Sequence, residues 1–192
     1  MNPRHLIAIA ASVFILGLGA ACQEDPPPAK EPKLSLEVRA DGLTYAQGSD
    51  APFTGTFEKK DKDGAVTRSE SFKDGKPDGA HTRYYANGKP SKTETYRDGE
   101  KIREQRWFEN GNPEIDAEMK DGVAFGKHTR WFEDGSLRFQ ANFIENMQWH
   151  GRVRDFKPDG SVIVDAIFED GQYVKGIFPD APADAVQEPI GD

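Results

Sequence analysis

Five glycines constrain this chain more than any other feature. Gly64, Gly88, Gly111, Gly135 and Gly160 follow one another at steps of 24, 23, 24 and 25 residues. Each closes a similar phrase: Lys60-Asp61-Lys62-Asp63-Gly64, Tyr84-Tyr85-Ala86-Asn87-Gly88, Trp107-Phe108-Glu109-Asn110-Gly111, Trp131-Phe132-Glu133-Asp134-Gly135 and Asp155-Phe156-Lys157-Pro158-Asp159-Gly160. A period of this size marks a repeat protein, in which each unit buries its apolar side only against its neighbours. Function in such a chain is sought in ladders of equivalent residues rather than in one compact motif.

The repeat reads as strand and turn. Asn-Gly and Asp-Gly supply the positive φ at both central residues of a type I′ hairpin turn. They stand at all five inner turns. They return at the outer turns Asp74-Gly75, Asp98-Gly99, Asp121-Gly122 and Asp170-Gly171, with Glu145-Asn146 in the remaining one. In the second copy the reading is a turn over Lys73–Gly79, a strand over Ala80–Ala86 and another over Lys89–Tyr96. The second strands alternate with period two. Leu137, Phe139, Ala141 and Phe143 share one side, as do Val162, Val164, Ala166 and Phe168, with mostly polar residues between them. In the second copy Lys92 and Glu94 replace apolar residues on that side. The expected fold is all-β, an elongated antiparallel meander of stacked β-hairpins in a single-layer sheet. About ten strands at ~4.8 Å would extend roughly 50 Å and would twist or curl. Leu34–Val38 is expected to start or cap the sheet.

The flanks carry different signals. Arg4, the apolar run Leu6–Leu18 and the small residues Gly19-Ala20-Ala21 have the form of a secretory signal over residues 1–21. The run is shorter than the ~20 residues a membrane span needs. Cys22 is the single cysteine, so no intramolecular disulfide can form. Residues 22–42 comprise a Pro-rich, charged spacer and the leading strand, residues 43–179 the repeats, and residues 180–192 an acidic tail expected to be disordered. Removing the signal would leave 24 basic and 33 acidic residues, a net charge of −9. Such a balance disfavours nucleic acid and anionic lipid headgroups, which are bound by Lys and Arg.

Two resemblances add expectations. Leu18-Gly19-Ala20-Ala21-Cys22 resembles the bacterial lipobox, with its Leu one residue further from the cysteine than usual. It implies lipidation of Cys22, membrane attachment through that lipid alone and, with Gln23 following, the outer membrane of a Gram-negative cell. The pattern Asp-Gly-x(3)-Gly-x(4)-aromatic-aromatic-x-Asn/Asp-Gly resembles the bacterial variant of the MORN repeat and proteins of the YwqK-type antitoxin family, over roughly Phe53 to Pro179. Its best copies hold Gly75, Gly79, Tyr84, Tyr85, Gly88 and Gly122, Gly126, Trp131, Phe132, Gly135; Arg103 stands at the second Gly of copy three and Asp155 at the first aromatic of copy five. That resemblance implies stacked hairpins and no catalytic residues.

The candidate binding ladder combines Tyr84, Trp107 and Trp131 with Arg83, Arg106, Arg130 and Arg154. The aromatics suit a protein hot spot or a platform for sugar rings, or simply packing between repeats. The arginines suit carboxylates or sugars, or cross-strand pairing with acids such as Asp116 and Asp165. His81 and His128 lie about 20 Å apart by strand count, too far to share a metal, and read as surface histidines. No phosphate loop, Gly-x-Ser-x-Gly or His-Glu-x-x-His occurs, so neither an enzyme nor a cofactor is expected. The functional expectation is an envelope lipoprotein that binds or scaffolds another protein. Alternatives are an antitoxin that masks a toxin and a module that binds cell-wall glycan.

Overall fold

The computed structural model describes residues 34–191. The leader, Cys22 and the Pro-rich spacer lie outside the described residues. Thirteen strands follow one another: β1 (Leu36–Val38), β2 (Thr44–Ala46), β3 (Gly55–Lys60), β4 (Val66–Lys73), β5 (Lys76–Tyr84), β6 (Pro90–Arg97), β7 (Glu100–Trp107), β8 (Pro113–Lys120), β9 (Val123–Trp131), β10 (Leu137–Phe143), β11 (Gly151–Phe156), β12 (Val162–Glu169) and β13 (Gln172–Ile177). β1 and β2 pair with each other. β3 to β13 form one antiparallel, unclosed sheet in strict chain order. The meander expected from the repeat is therefore present. It gains an eleventh strand, β13, from the partial copy after Gly160.

The turns are of two kinds, not one. At the outer turns Asp74, Asp98, Asp121 and Asp170 have φ of 47–51° and the following glycines 78–90°. Both central residues are left-handed, as type I′ requires. At the inner turns only the glycine has positive φ. Gly88 N–H donates to the Tyr85 carbonyl at 3.0 Å and Tyr85 N–H to Lys89 at 2.8 Å, and the same pair recurs at 61/64, 108/111, 132/135 and 157/160. These are four-residue loops that end in a left-handed glycine. The side chain before the glycine holds the loop: Asn87 Oδ1 accepts from Lys89 N–H at 2.9 Å and Asp134 Oδ1 from Ser136 N–H at 2.8 Å. Lys76–Gly79, expected as turn, is strand, because the two-residue loop Asp74-Gly75 already reverses the chain.

Differences in repeat length fall in the outer connections. β5 bulges between the pairs Glu70↔His81 and Phe72↔Pro77, and β9 between Ala117↔His128 and Met119↔Ala124. Gly79 (φ 94°) and Gly126 (φ 74°) supply the bends. β7 passes from Thr95↔Arg103 to Tyr96↔Lys101 with a smaller bulge, which absorbs the 23-residue step. It has no positive-φ position, so no glycine is needed there. The 25-residue step is taken up by the short 3₁₀ turn Glu145–Met147, with Asn146 at φ 59° and Met147 at φ 56°.

One face of the sheet holds the core, with Ala141, Val153, Val164, Ala166 and Phe168 buried. Phe168 meets Trp149, Phe178 and Tyr173 edge-on at centroid distances of 5.0, 5.2 and 6.1 Å. Towards the other end this face becomes ionic. Lys92 lies 3.0 Å from Glu94 and 3.3 Å from Glu104, and Lys101 lies 3.2 and 3.0 Å from the same two carboxylates. β1 and β2 cap that end. Thr44 N–H donates to the Gly75 carbonyl at 2.9 Å, and buried Tyr45 donates its hydroxyl to Asp41 Oδ2 at 2.7 Å. After β13 the described chain carries no further helix or strand. Gln187 Oε1 accepts from Phe178 N–H at 3.1 Å, and the Ile190 carbonyl accepts from Arg152 at 3.0 Å.

Candidate functional site

Directly paired residues of an antiparallel ladder point to the same side, and neighbours along a strand to opposite sides. The registers therefore sort every candidate. Lys59, Arg68, Arg83, Lys92, Arg106, Ile115, Arg130, Phe139, Asp155 and Val164 form one row on the core face. Glu58, Ser69, Thr82, Thr93, Gln105, Asp116, Thr129, Gln140, Arg154, Asp165 and Ile177 form a row on the other, polar face. Tyr84, Trp107 and Trp131 stand two residues beyond Thr82, Gln105 and Thr129, so they belong to the polar face.

The expected single ladder thus divides. Arg83, Arg106 and Arg130 lie on the core face, and the aromatic residues beside them point the other way. Arg154 is not their equivalent. In copy five the inner-turn bonds are made by Lys157, which donates to Ser161 and accepts from Gly160, both at 2.9 Å. Lys157 therefore matches Tyr85, Phe108 and Phe132, and Phe156 matches Tyr84, Trp107 and Trp131. The first aromatic is kept in copy five and the second is lost, the reverse of the sequence reading. Arg154 falls in the polar-face row and reaches Gln140 Oε1.

Neither aromatic row is fully exposed; both are half-buried. Tyr85 donates its hydroxyl to the Trp107 carbonyl at 2.7 Å and so ties one inner turn to the next. Asn87 and Asn110 do the same through their amides, to Glu109 at 3.1 Å and Glu133 at 2.9 Å.

His81 and His128 are not the surface residues expected. The His81 side chain is 11% exposed and lies between Phe72 and Tyr96, at ring centroid distances of 5.1 and 4.7 Å. Its Nε2 sits 2.8 Å from the Ser71 carbonyl oxygen. His128 lies against Phe139 and Phe143; burial, with help from the nearby Arg130 charge, lowers its pKa. His150 is exposed. Among the described residues no group of three His, Cys, Asp or Glu side chains could hold a metal.

On the polar face lies a groove of about 430 Å³ lined by Arg103, Asp116, Glu118, Lys127, Thr129, Trp131, Leu137 and Gln140. Arg103 forks onto Asp116, with Nε 2.7 Å from Oδ1. Arg152 forks onto Asp165 in the same way, with Nε to Oδ1 at 2.7 Å and Nη2 to Oδ2 at 2.9 Å. These two pairs were not among the expected site residues. Their signal is present in the chain: an Arg and an Asp thirteen residues apart across an inner turn, repeated two copies later.

A search of curated proteins returns no match to the chain. Repeats of the MORN kind are in general non-catalytic modules that bind proteins or membranes, and the repeated single-layer sheet agrees with that role. Residues 77–98, the hairpin of β5 and β6 with its inner turn at Gly88, match the family described as MORN repeat variant.

Proposed function

We propose that this chain is a non-catalytic cell-envelope lipoprotein, attached to the membrane through Cys22, whose polar face captures another protein. The observation that carries the reading is the alignment of Tyr84, Trp107, Trp131 and Phe156 in one row beside a row that runs Ser69, Thr82, Thr93, Gln105, Asp116 and Thr129, with Asp116 its single charge over that stretch. Half-buried aromatics next to small polar groups combine apolar contact area with adaptable hydrogen bonding, a combination that protein interfaces favour. The opposite face is committed to the core and its ionic extension, which leaves the polar face for a partner. The net charge favours neither nucleic acid nor anionic lipid as that partner.

Crosslinking in the native envelope, followed by identification of the captured protein, tests this directly. The double variant Trp107→Ala/Trp131→Ala is expected to lose the crosslinked partner while its thermal unfolding stays cooperative. Unchanged capture by a folded variant refutes the assignment. Labelling with radioactive palmitate, with Cys22→Ser as control, tests the anchor. A second reading, cell-wall glycan, is favoured by Trp131 standing beside Asp116, Thr129 and Gln140 in the groove, an apolar ring next to sugar-type hydrogen-bond partners. Sedimentation with the insoluble wall polymer distinguishes it from protein capture.

A further inference from the structure

Arg103 and Arg152 hold equivalent places in copies three and five, as do Asp116 and Asp165. In copy five the guanidinium has a second task. Nη2 donates to the Ile190 carbonyl at 3.0 Å and Nη1 to the Gly191 carbonyl at 3.5 Å. The Ile190 side chain lies over Gly176, close enough that a Cβ there would stand 3.0 Å from its Cδ1. The chain's own last residues are thus seated on an arginine that a carboxylate already holds in place.

The same Arg–Asp fork in copy three opens onto the 430 Å³ groove. The pair is not part of the architecture of every copy. Copy two has Ala80 and Thr93 at these places, and copy four has Lys127 and Gln140. Arg has five N–H donors, of which the fork uses two. Asp116 balances its charge, so the remaining donors suit neutral carbonyl oxygens better than a free anion. Trp131 and Leu137 line the same groove and supply an apolar surface beside those donors.

We infer that the Arg103–Asp116 groove receives an extended segment of a partner protein in the way the fifth copy receives the C-terminal residues of this chain. Backbone carbonyl oxygens of the segment accept from Arg103, and an adjacent branched apolar side chain packs on Trp131 and Leu137. The inference rests on protein capture by the polar face and names the kind of segment captured.

The test uses the full chain and a synthetic peptide with the sequence of residues 186–192, Val-Gln-Glu-Pro-Ile-Gly-Asp, followed by titration calorimetry. Saturable binding is expected, weakened about tenfold or more in Arg103→Ala, as for loss of a pair of charge-assisted hydrogen bonds. Arg103→Lys keeps the charge and most of the stem but loses the fork, and is expected to behave like the Ala variant. A peptide with Asp in place of Ile190 is expected to bind more weakly, and Arg152→Ala is expected to leave groove binding in place. No saturable binding, or binding indifferent to both Arg103 variants, overturns the proposal. So does binding lost in Arg152→Ala but kept in Arg103→Ala, which would be exchange at the tail's own seat. Concentration-dependent self-association abolished by Arg103→Ala would make a second copy the occupant and would equally overturn it. If envelope crosslinking still depends on Trp107 and Trp131 while the peptide fails, the peptide claim falls alone.

Discussion

A methyl group at Gly176 would overlap the Asp165 carbonyl oxygen and lie 2.7 Å from the Ala166 Cα, both backbone atoms of β12. Its φ of 112° adds conformational cost. No rotation of a side chain relieves such a contact. Gly176→Ala is expected to cost ~3 kcal/mol or more in urea unfolding. Gly64→Ala, at φ 89° with open space around it, is expected to cost only ~1 kcal/mol. Equal costs would show that β12 and β13 do not approach this closely. Glu104 supplies a second prediction at this scale. Burial raises its pKa, but hydrogen bonds from Lys101 and Arg106 and the charges of Lys92 and Lys101 outweigh that and hold it at about 2. A carboxylate depressed in the folded state stabilises the fold above its unfolded pKa, and that contribution fades as pH falls from about 4.5 towards 2. Glu104→Gln should therefore be less stable than the parent at pH 7. The difference should shrink across that acid window, as followed by denaturant unfolding at a series of pH values.

At the scale of the strand and turn, much is legible in the sequence. The period-two alternation of Phe139, Ala141 and Phe143 and of Val164, Ala166 and Phe168 marks the core face, and the glycine spacing marks the meander. Leu137 and Val162, expected on the same side, lie beyond a bulge in each strand and pair with Trp131 and Phe156 on the polar face. The turn type is not legible. Asp-Gly serves both a two-residue loop, as at Asp74-Gly75, and the end of a four-residue one, as at Asp134-Gly135, and only backbone pairing such as that of Phe132 with Ser136 distinguishes them. The binding ladder is misassembled for a related reason. Arg83 and Tyr84 are adjacent in a strand and so must face apart, and the inner-turn bonds of Lys157 assign Phe156, not Asp155, to the first aromatic row. The inner turns also bond to each other across copies, which no single copy reveals. Asn87 both closes its own loop and donates to Glu109. Asn87→Ala is expected to lower stability by ~1–2 kcal/mol, measured by chemical denaturation, and more than Asn142→Ala on the exposed polar face.

For the molecule as a whole, the core face grades from ion pairs around Glu94 and Glu104 to a dry cluster around Val153 and Ala166, both with no exposed surface. In a repeat sheet each unit depends on its neighbours, so local stability should follow this gradient. Amide exchange is expected to be slowest in β10 to β12 and fastest in β3 to β5, and moderate salt is expected to widen the gap by screening the ionic half. Uniform protection along the sheet would rule the gradient out. The placement of length variation has a practical corollary for grafting. The inner turns of copies two to four are joined by hydrogen bonds from one to the next, whereas the connection between β10 and β11 already departs from the common loop. A foreign epitope of about ten residues between Asn146 and Met147 should display without unfolding its host, since loop closure grows only slowly with length. The same epitope between Ala86 and Asn87 would interrupt those bonds in the middle of the molecule. The scaffold therefore offers one side for carrying cargo and one that must be left as it is.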